Sequence, residues 1–172
     1  DIGANIGLAG RYFLRHLKPG RMLCVEPYGP SFDICNMNLG GRPGVTLVNK
    51  AIWSTPVPEL NLHRHFRDGQ DWSIAATEKQ GSLQVGKASA ITLGQLMEME
   101  EYTTIDLLKI DIEGGEQEIF SPDADTAFLE NVKVVCVELH MEMIGYRKIF
   151  ETFRRHGFVI METGGLLLGV RN

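Results

Sequence analysis

The sequence predicts an α/β fold with a mostly parallel sheet, a truncated first strand and a C-terminal antiparallel hairpin. Three observations carry this. Short apolar runs alternate with amphipathic stretches, the pattern of βαβ units. Two glycine-punctuated turns, DIGANIG at Asp1 to Gly7 and LLKIDIEGGE at Leu107 to Glu116, stand at what read as strand ends. The chain closes on two apolar runs joined by Thr163, Gly164 and Gly165, a hairpin signature.

Gly3 and Gly7 bracket a tight strand-to-helix turn, where missing side chains let backbone N–H groups approach a ligand. A helix from Ile6 to Leu17 comes next, broken by Pro19-Gly20, and a strand runs from Met22 to Glu26. Glu26 lies about 20 positions beyond the glycine turn, where doubly wound folds grip a ribose with a carboxylate. Ser31 caps a helix ending at Leu39, with Gly40-Gly41 as its stop, and Val45 to Ala51 is the next strand. Trp53 to Ala90 scatters Pro, Gly, His and Arg among short alternating pieces and reads as strands or a hairpin. Thr92 caps a helix over Leu93 to Met99. Ile105 to Ile110 suits a central parallel strand buried on both faces. Val132 to Leu139 is a second such run. A helix from Tyr146 to His156 shows Ile149, Phe150 and Phe153 on one face, and Phe158 to Glu162 and Leu166 to Val170 form the hairpin.

At 172 residues, 44% apolar and 23% charged, the chain is one domain of ordinary globular composition. Seventeen basic against 22 acidic residues, a net charge of −5, argue against a nucleic-acid footprint and favour a small or sugar-like partner. No apolar run is long enough to span a membrane. Cys24, Cys35 and Cys136 lack CxxC spacing and read as buried free thiols in a reducing, cytoplasmic setting. If Asp1 ends the first strand, that strand's apolar body lies further toward the N-terminus, and the domain over residues 1–172 is truncated there. Oligomeric state is not legible in the sequence.

Ligands in open α/β sheets bind beyond the carboxyl ends of the strands. Asp1, Glu26, Asp111, Glu113 and the pair Glu138 and His140 fall at such ends. Asp111 with Glu113, and Glu138 with His140, have the spacing of two that puts extended side chains on one face. Crowded carboxylates call for a cation, a metal or shared protons. Glu116 fits the first turn of a helix, where the dipole favours it. His16, His63 and His65 lack metal-ligand spacing and read as surface residues.

With DIGANIG, VEP, the Asn49 to Ile52 strand end, LLKIDIEGGE and VELH in order, the chain resembles the FkbM-type methyltransferases over essentially its whole length, IDIEGGE being the most specific part. The resemblance implies a Rossmann-like class I methyltransferase sandwich that uses S-adenosylmethionine to methylate hydroxyl oxygens, often on sugars or secondary metabolites. It implies that Asp1, Gly3, Ala4, Asn5 and Gly7 line the methionine part of the cofactor and that Glu26 holds the ribose. It places Ala51 and Ile52 against adenine and Asp111 toward the methyl group. An alcohol is a poor nucleophile, so His140 or Asp111 is the expected base, with Glu113 positioning the acceptor. A divalent metal held by Asp111, Glu113 and His140 is a competing arrangement.

Two other readings remain. A nicotinamide-dependent oxidoreductase shares the glycine turn and the acidic ribose residue, but GxGxxG and YxxxK are both missing. A methyltransferase-like domain that only binds a partner need not keep the acidic set. The stretch from Pro56 to Gln84, with Arg64 and Trp72, is where acceptor choice is expected to lie.

Overall fold

A computed structural model describes residues 1–64, 73–81, 83–121, 123–139 and 146–171. They form a mixed α/β structure with several sheets, divided into two compact units. The first comprises Asp1–Ala51 and Pro58–Ala90, the second Ile52–Val57 and Ile91–Asn172.

In the first unit, helix α1 (Leu8–His16) leads to strand β1 (Met22–Val25), helix α2 (Gly29–Leu39) and strand β2 (Val45–Val48). β1 and β2 pair in parallel, with Met22 opposite Val45 and Val25 opposite Val48. On its other side β1 takes Ile2 as a parallel partner. Ala4, Met22, Cys24, Cys35 and Leu39 make the core, closed by Phe13, Leu14, Val45 and Leu47. Gly10 is required by this packing, because a Cβ there would stand 2.7 Å from Leu39 Cδ1.

The second helix departs from expectation at its start. Tyr28 is the capping residue, Pro30 lies in the first turn, and Ser31 is buried inside the helix. Proline's fixed φ and missing N–H suit a first turn, so the helix begins earlier than a serine cap would place it. Its end agrees, with Gly41 at φ 70° just beyond. The expected strand to Ala51 is interrupted at Asn49-Lys50, and a separate strand, β3 (Ala51–Ile52), comes after the break. Strands β4 (Glu59–His63), β5 (Ala75–Thr77) and β6 (Gln84–Ile91) bear out the expected strands in the irregular stretch. They join β3 in a sheet of order β3-β6-β4-β5, with β4 antiparallel to both β5 and β6. His63 is buried rather than on the surface, its Nε2 3.0 Å from the Lys79 carbonyl. His65 and Trp72 lie outside the described residues.

The second unit begins its regular structure with helix α3 (Leu93–Met99). Thr92 and Gln95 form a reciprocal capping box, Gln95 N donating to Thr92 Oγ1 and Thr92 N to Gln95 Oε1. Strand β7 (Ile105–Ile110), helix α4 (Glu116–Ile119), a 3-10 turn (Ala127–Asn131), strand β8 (Val132–Glu138), helix α5 (Tyr146–Arg155) and strands β9 (Val159–Thr163) and β10 (Leu166–Val170) complete it. The sheet order is β7-β8-β10-β9, so β7 stands at one end of this four-stranded sheet. β7 and β8 are parallel, while β10 is antiparallel to both β8 and β9. Gly164 and Gly165, at φ 56° and 83°, make the two-residue hairpin turn in which both central residues need positive φ.

Alternation sorts this sheet into two faces. Leu108, Ile110, Val135, Val137 and Leu167 are buried on one, in the same core as Phe120, Phe128, Phe153 and Phe158. Phe153 meets Phe120 edge-on at 5.2 Å between centroids. Gly169 leaves room there, since a Cβ would lie 2.9 Å from Val135 Cγ1 and 3.0 Å from Phe153 Cδ2. Lys109, Cys136 and Glu138 lie on the opposite face and are half-buried. β7 therefore buries Leu108 and Ile110 on one face only, with Asp106 exposed at the start of that face, and is not buried on both. Cys24 and Cys35 are buried free thiols as expected, whereas Cys136 is only partly covered. Among the described residues no helix is long and apolar enough to cross a membrane.

Candidate functional site

The first glycine turn is built by left-handed backbone at three places, Gly3 (φ 75°), Asn5 (φ 48°) and Gly7 (φ 85°). Gly3 N and Ala4 N both donate to the Val25 carbonyl, at 3.0 and 2.9 Å, and Val25 N donates back to the Asp1 carbonyl at 2.9 Å. This places Asp1, Gly3, Ala4 and Asn5 at the carboxyl end of β1, beside Glu26. Gly7 has no room for a side chain, because a Cβ would stand 3.0 Å from Leu39 Cδ1 and 3.1 Å from Cys35 Sγ.

Glu26 is 7% exposed, so it is no solvated loop carboxylate. Its Oε2 accepts from Asn5 N at 2.8 Å and its Oε1 from Tyr28 N at 2.9 Å. One carboxylate thus ties the glycine turn to the start of α2. Its charge, after burial, helps push the Cys35 thiol above its ordinary range. Asn49 braces the same strand end, donating from Nδ2 to the carbonyls of Glu26 (2.8 Å) and Pro27 (3.2 Å). Arg64 donates to the Tyr28 hydroxyl at 3.3 Å. Ala51 is buried at the start of β3.

In the second unit the LLKIDIEGGE turn is held in the same manner by a different glutamate. Glu116 is 3% exposed and accepts from Ile112 N through Oε1 and from Gly114 N through Oε2, both at 2.8 Å. Its role therefore goes beyond the helix dipole: it folds back over the loop that carries Asp111 and Glu113. Glu113 adopts φ 55° and Gly114 φ 99°, a left-handed pair that this double bond holds in place. Gly115 leaves space for Ile112, whose Cδ1 would be 2.9 Å from an added Cβ.

Asp111 does not stand among carboxylates alone. Lys109 Nζ lies 3.3 Å from Asp111 Oδ2, both side chains being mostly buried. Their spacing of two along an extended strand puts both on one face, a signal that the sequence carries although Lys109 is not among the expected site residues. Lys109 is opposite Cys136 in the β7·β8 register, and Glu138 lies two residues later on the same face. Burial raises the Cys136 thiol; Lys109 opposes this and Glu138 adds to it. Lysine and glutamate therefore flank that thiol. The cation that the acidic crowding demands is at least partly supplied by the chain itself. Ile52 is buried in β3. His140 lies outside the described residues. Among the described residues no cluster of three or more His, Cys, Asp or Glu side chains is placed to hold a metal ion.

With two glycine turns at strand ends, each pinned by a buried glutamate, the chain matches the family model of the methyltransferase FkbM domain over residues 1–160. The chain belongs to the FkbM methyltransferase family. That membership bears out the resemblance read from DIGANIG and IDIEGGE. The match ends within β9, and β10 lies beyond it. No curated protein and no solved structure matches the chain.

Proposed function

We propose that this methyltransferase transfers the methyl group of S-adenosylmethionine to a hydroxyl oxygen of a small molecule or sugar, on a Rossmann-like class I framework. The observation that carries the reading is the buried Glu26 carboxylate, fixed at a strand end by the amide of a glycine-turn residue. A ribose presents two hydroxyl donors, and each carboxylate oxygen can accept more than one hydrogen bond. The residues present thus fit the cofactor. When bound, it would supply an electrophilic methyl group on a cationic sulfur.

Asp1, Gly3, Ala4, Asn5 and Gly7 offer a close backbone approach and a carboxylate to the cofactor's methionine part, and Glu26 holds the ribose. Ala51 and Ile52 provide apolar cover for adenine. Asp111, steadied by Lys109, and Glu113, fixed by the Glu116 loop, orient the acceptor hydroxyl. His140 or Asp111 takes its proton as the new bond forms. A positioned base typically contributes about 10²–10⁴-fold.

The test is methyl transfer monitored by mass spectrometry, with S-adenosylmethionine and a panel of saccharides and hydroxylated metabolites. A product one methyl group heavier supports the reading, and retention of its rate after exhaustive chelation removes the metal version. Unchanged turnover in His140→Ala or in Asp111→Asn discards that residue as base. Saturable binding of NAD, with none of S-adenosylhomocysteine, would instead favour the oxidoreductase reading.

A further inference from the structure

The exposed side of α1 carries positive charge for which the methyl-transfer reading has no use. A cavity of about 420 Å³ is lined by Arg11, Tyr12, Leu14, Arg15, His16 and Arg42. Arg11 and Arg15 are one helical turn apart on α1, and Arg42 reaches the cavity from the segment after α2. Arg42 Nε donates to the Asn38 carbonyl at 3.2 Å, which anchors that guanidinium to the end of α2. The Tyr12 and His16 rings lie against each other, 4.4 Å between centroids.

No lining residue is acidic, and among the described residues none of these three arginines forms an ion pair. This is unexpected in a chain with 22 acidic residues and a net charge of −5. The helix dipole accounts for Arg15 and His16, the basic residues of the last turn of α1. It does not account for Arg11 in mid-helix or for Arg42 outside the helix. Like charges one turn apart destabilise a helix, and a bound anion relieves that repulsion.

We infer that this cavity binds a phosphate group carried by an organic ligand. Guanidinium forks match the oxygens of a phosphate in pairs, and the Tyr12 hydroxyl and His16 ring add donors of adjustable direction. The depression is open to solvent, and its volume leaves room beside a phosphate for the organic group that carries it. The same chemistry is offered by a soluble phosphorylated metabolite and by a phospholipid headgroup. Exposed Leu8 and Leu17, at either end of α1, make the second source worth a separate arm.

The test titrates inorganic pyrophosphate into the protein by calorimetry, and separately floats it with vesicles of phosphatidylcholine alone or mixed with phosphatidylglycerol. Wild type is compared with Arg15→Ala/Arg42→Ala and with Arg15→Lys/Arg42→Lys, all checked for unchanged thermal unfolding. Saturable pyrophosphate binding, weakened about tenfold or more in the alanine variant and less in the lysine variant, supports the site. If it comes without flotation, the ligand is soluble. Flotation with the anionic vesicles alone, lost in the alanine variant, supports the site with a lipid source. Absence of both, or binding undiminished in the alanine variant, overturns the inference. S-adenosylhomocysteine affinity is expected to stay the same in every variant, which keeps this outcome separate from that of the proposed methyl transfer.

Discussion

Glu116→Gln preserves the shape of a buried side chain while turning one of its two acceptor oxygens into a donor. In the native loop Ile112 N and Gly114 N each donate to one of those oxygens at 2.8 Å. Whichever way the amide is oriented, one backbone N–H then faces an NH₂ group. A hydrogen bond to a charged acceptor contributes about 1.5–3 kcal/mol, and one lost where water cannot enter costs its full value. With Glu116 at 3% exposure, the expected loss is about 2–3 kcal/mol, or a fall in Tm of about 4–12 °C for a domain of this size. Thermal and urea denaturation measure the loss, and amide hydrogen exchange locates it at Ile112 and Gly114. A Tm within about 1 °C of wild type, with protection of both amides retained, would show that this carboxylate does not hold the Asp111 to Gly114 loop.

Gly7→Ala must accept both a left-handed backbone and a Cβ 3.0 Å from Leu39 Cδ1, so it should lower stability by about 1–3 kcal/mol; an unchanged urea midpoint would remove the packing argument. Lys109→Met should alter stability by less than about 1 kcal/mol, as the ion pair is partly solvated, but should slow methyl transfer by releasing Asp111, and full turnover would take the pair out of the site. Burial holds His156 below the ordinary histidine pKa; Glu130 opposes this, and Arg155 and Arg171 reinforce it. The unfolded chain therefore binds the proton more tightly: His156 contributes its full stability above about pH 6.5, and that contribution is lost as pH falls from there through the folded value. His156→Gln should flatten the stability profile in that acid window, whereas an unchanged slope would exclude His156 as its source.

Periodicity and turn chemistry were enough to place most elements, because each carries its signal locally. Thr92 reads as a helix cap, Thr163-Gly164-Gly165 as a hairpin joint of which Thr163 proves to be the last residue of β9, and Ile149 and Phe153 mark one buried helix face. The departures have local causes as well. Pro30 starts α2 ahead of Ser31, and Asn49 leaves the strand to bond the carbonyls of Glu26 and Pro27. The candidate site was legible as residue types at strand ends but not as bonding. Nothing in the spacing of Glu26 or Glu116 reveals that each carboxylate accepts from two backbone amides, since those partners are brought close only by folding. His63 read as a surface residue because its partner, the Lys79 carbonyl, lies on a separate stretch of chain.

Calorimetric titration of S-adenosylhomocysteine into wild type, Glu26→Gln and Asp111→Asn most directly tests whether these strand-end acids serve a sulfonium nucleotide. Saturable one-to-one binding by wild type, about tenfold or more weaker in Glu26→Gln, is the predicted result. Binding equally tight after the Glu26 substitution, or none by the wild-type protein, would contradict it.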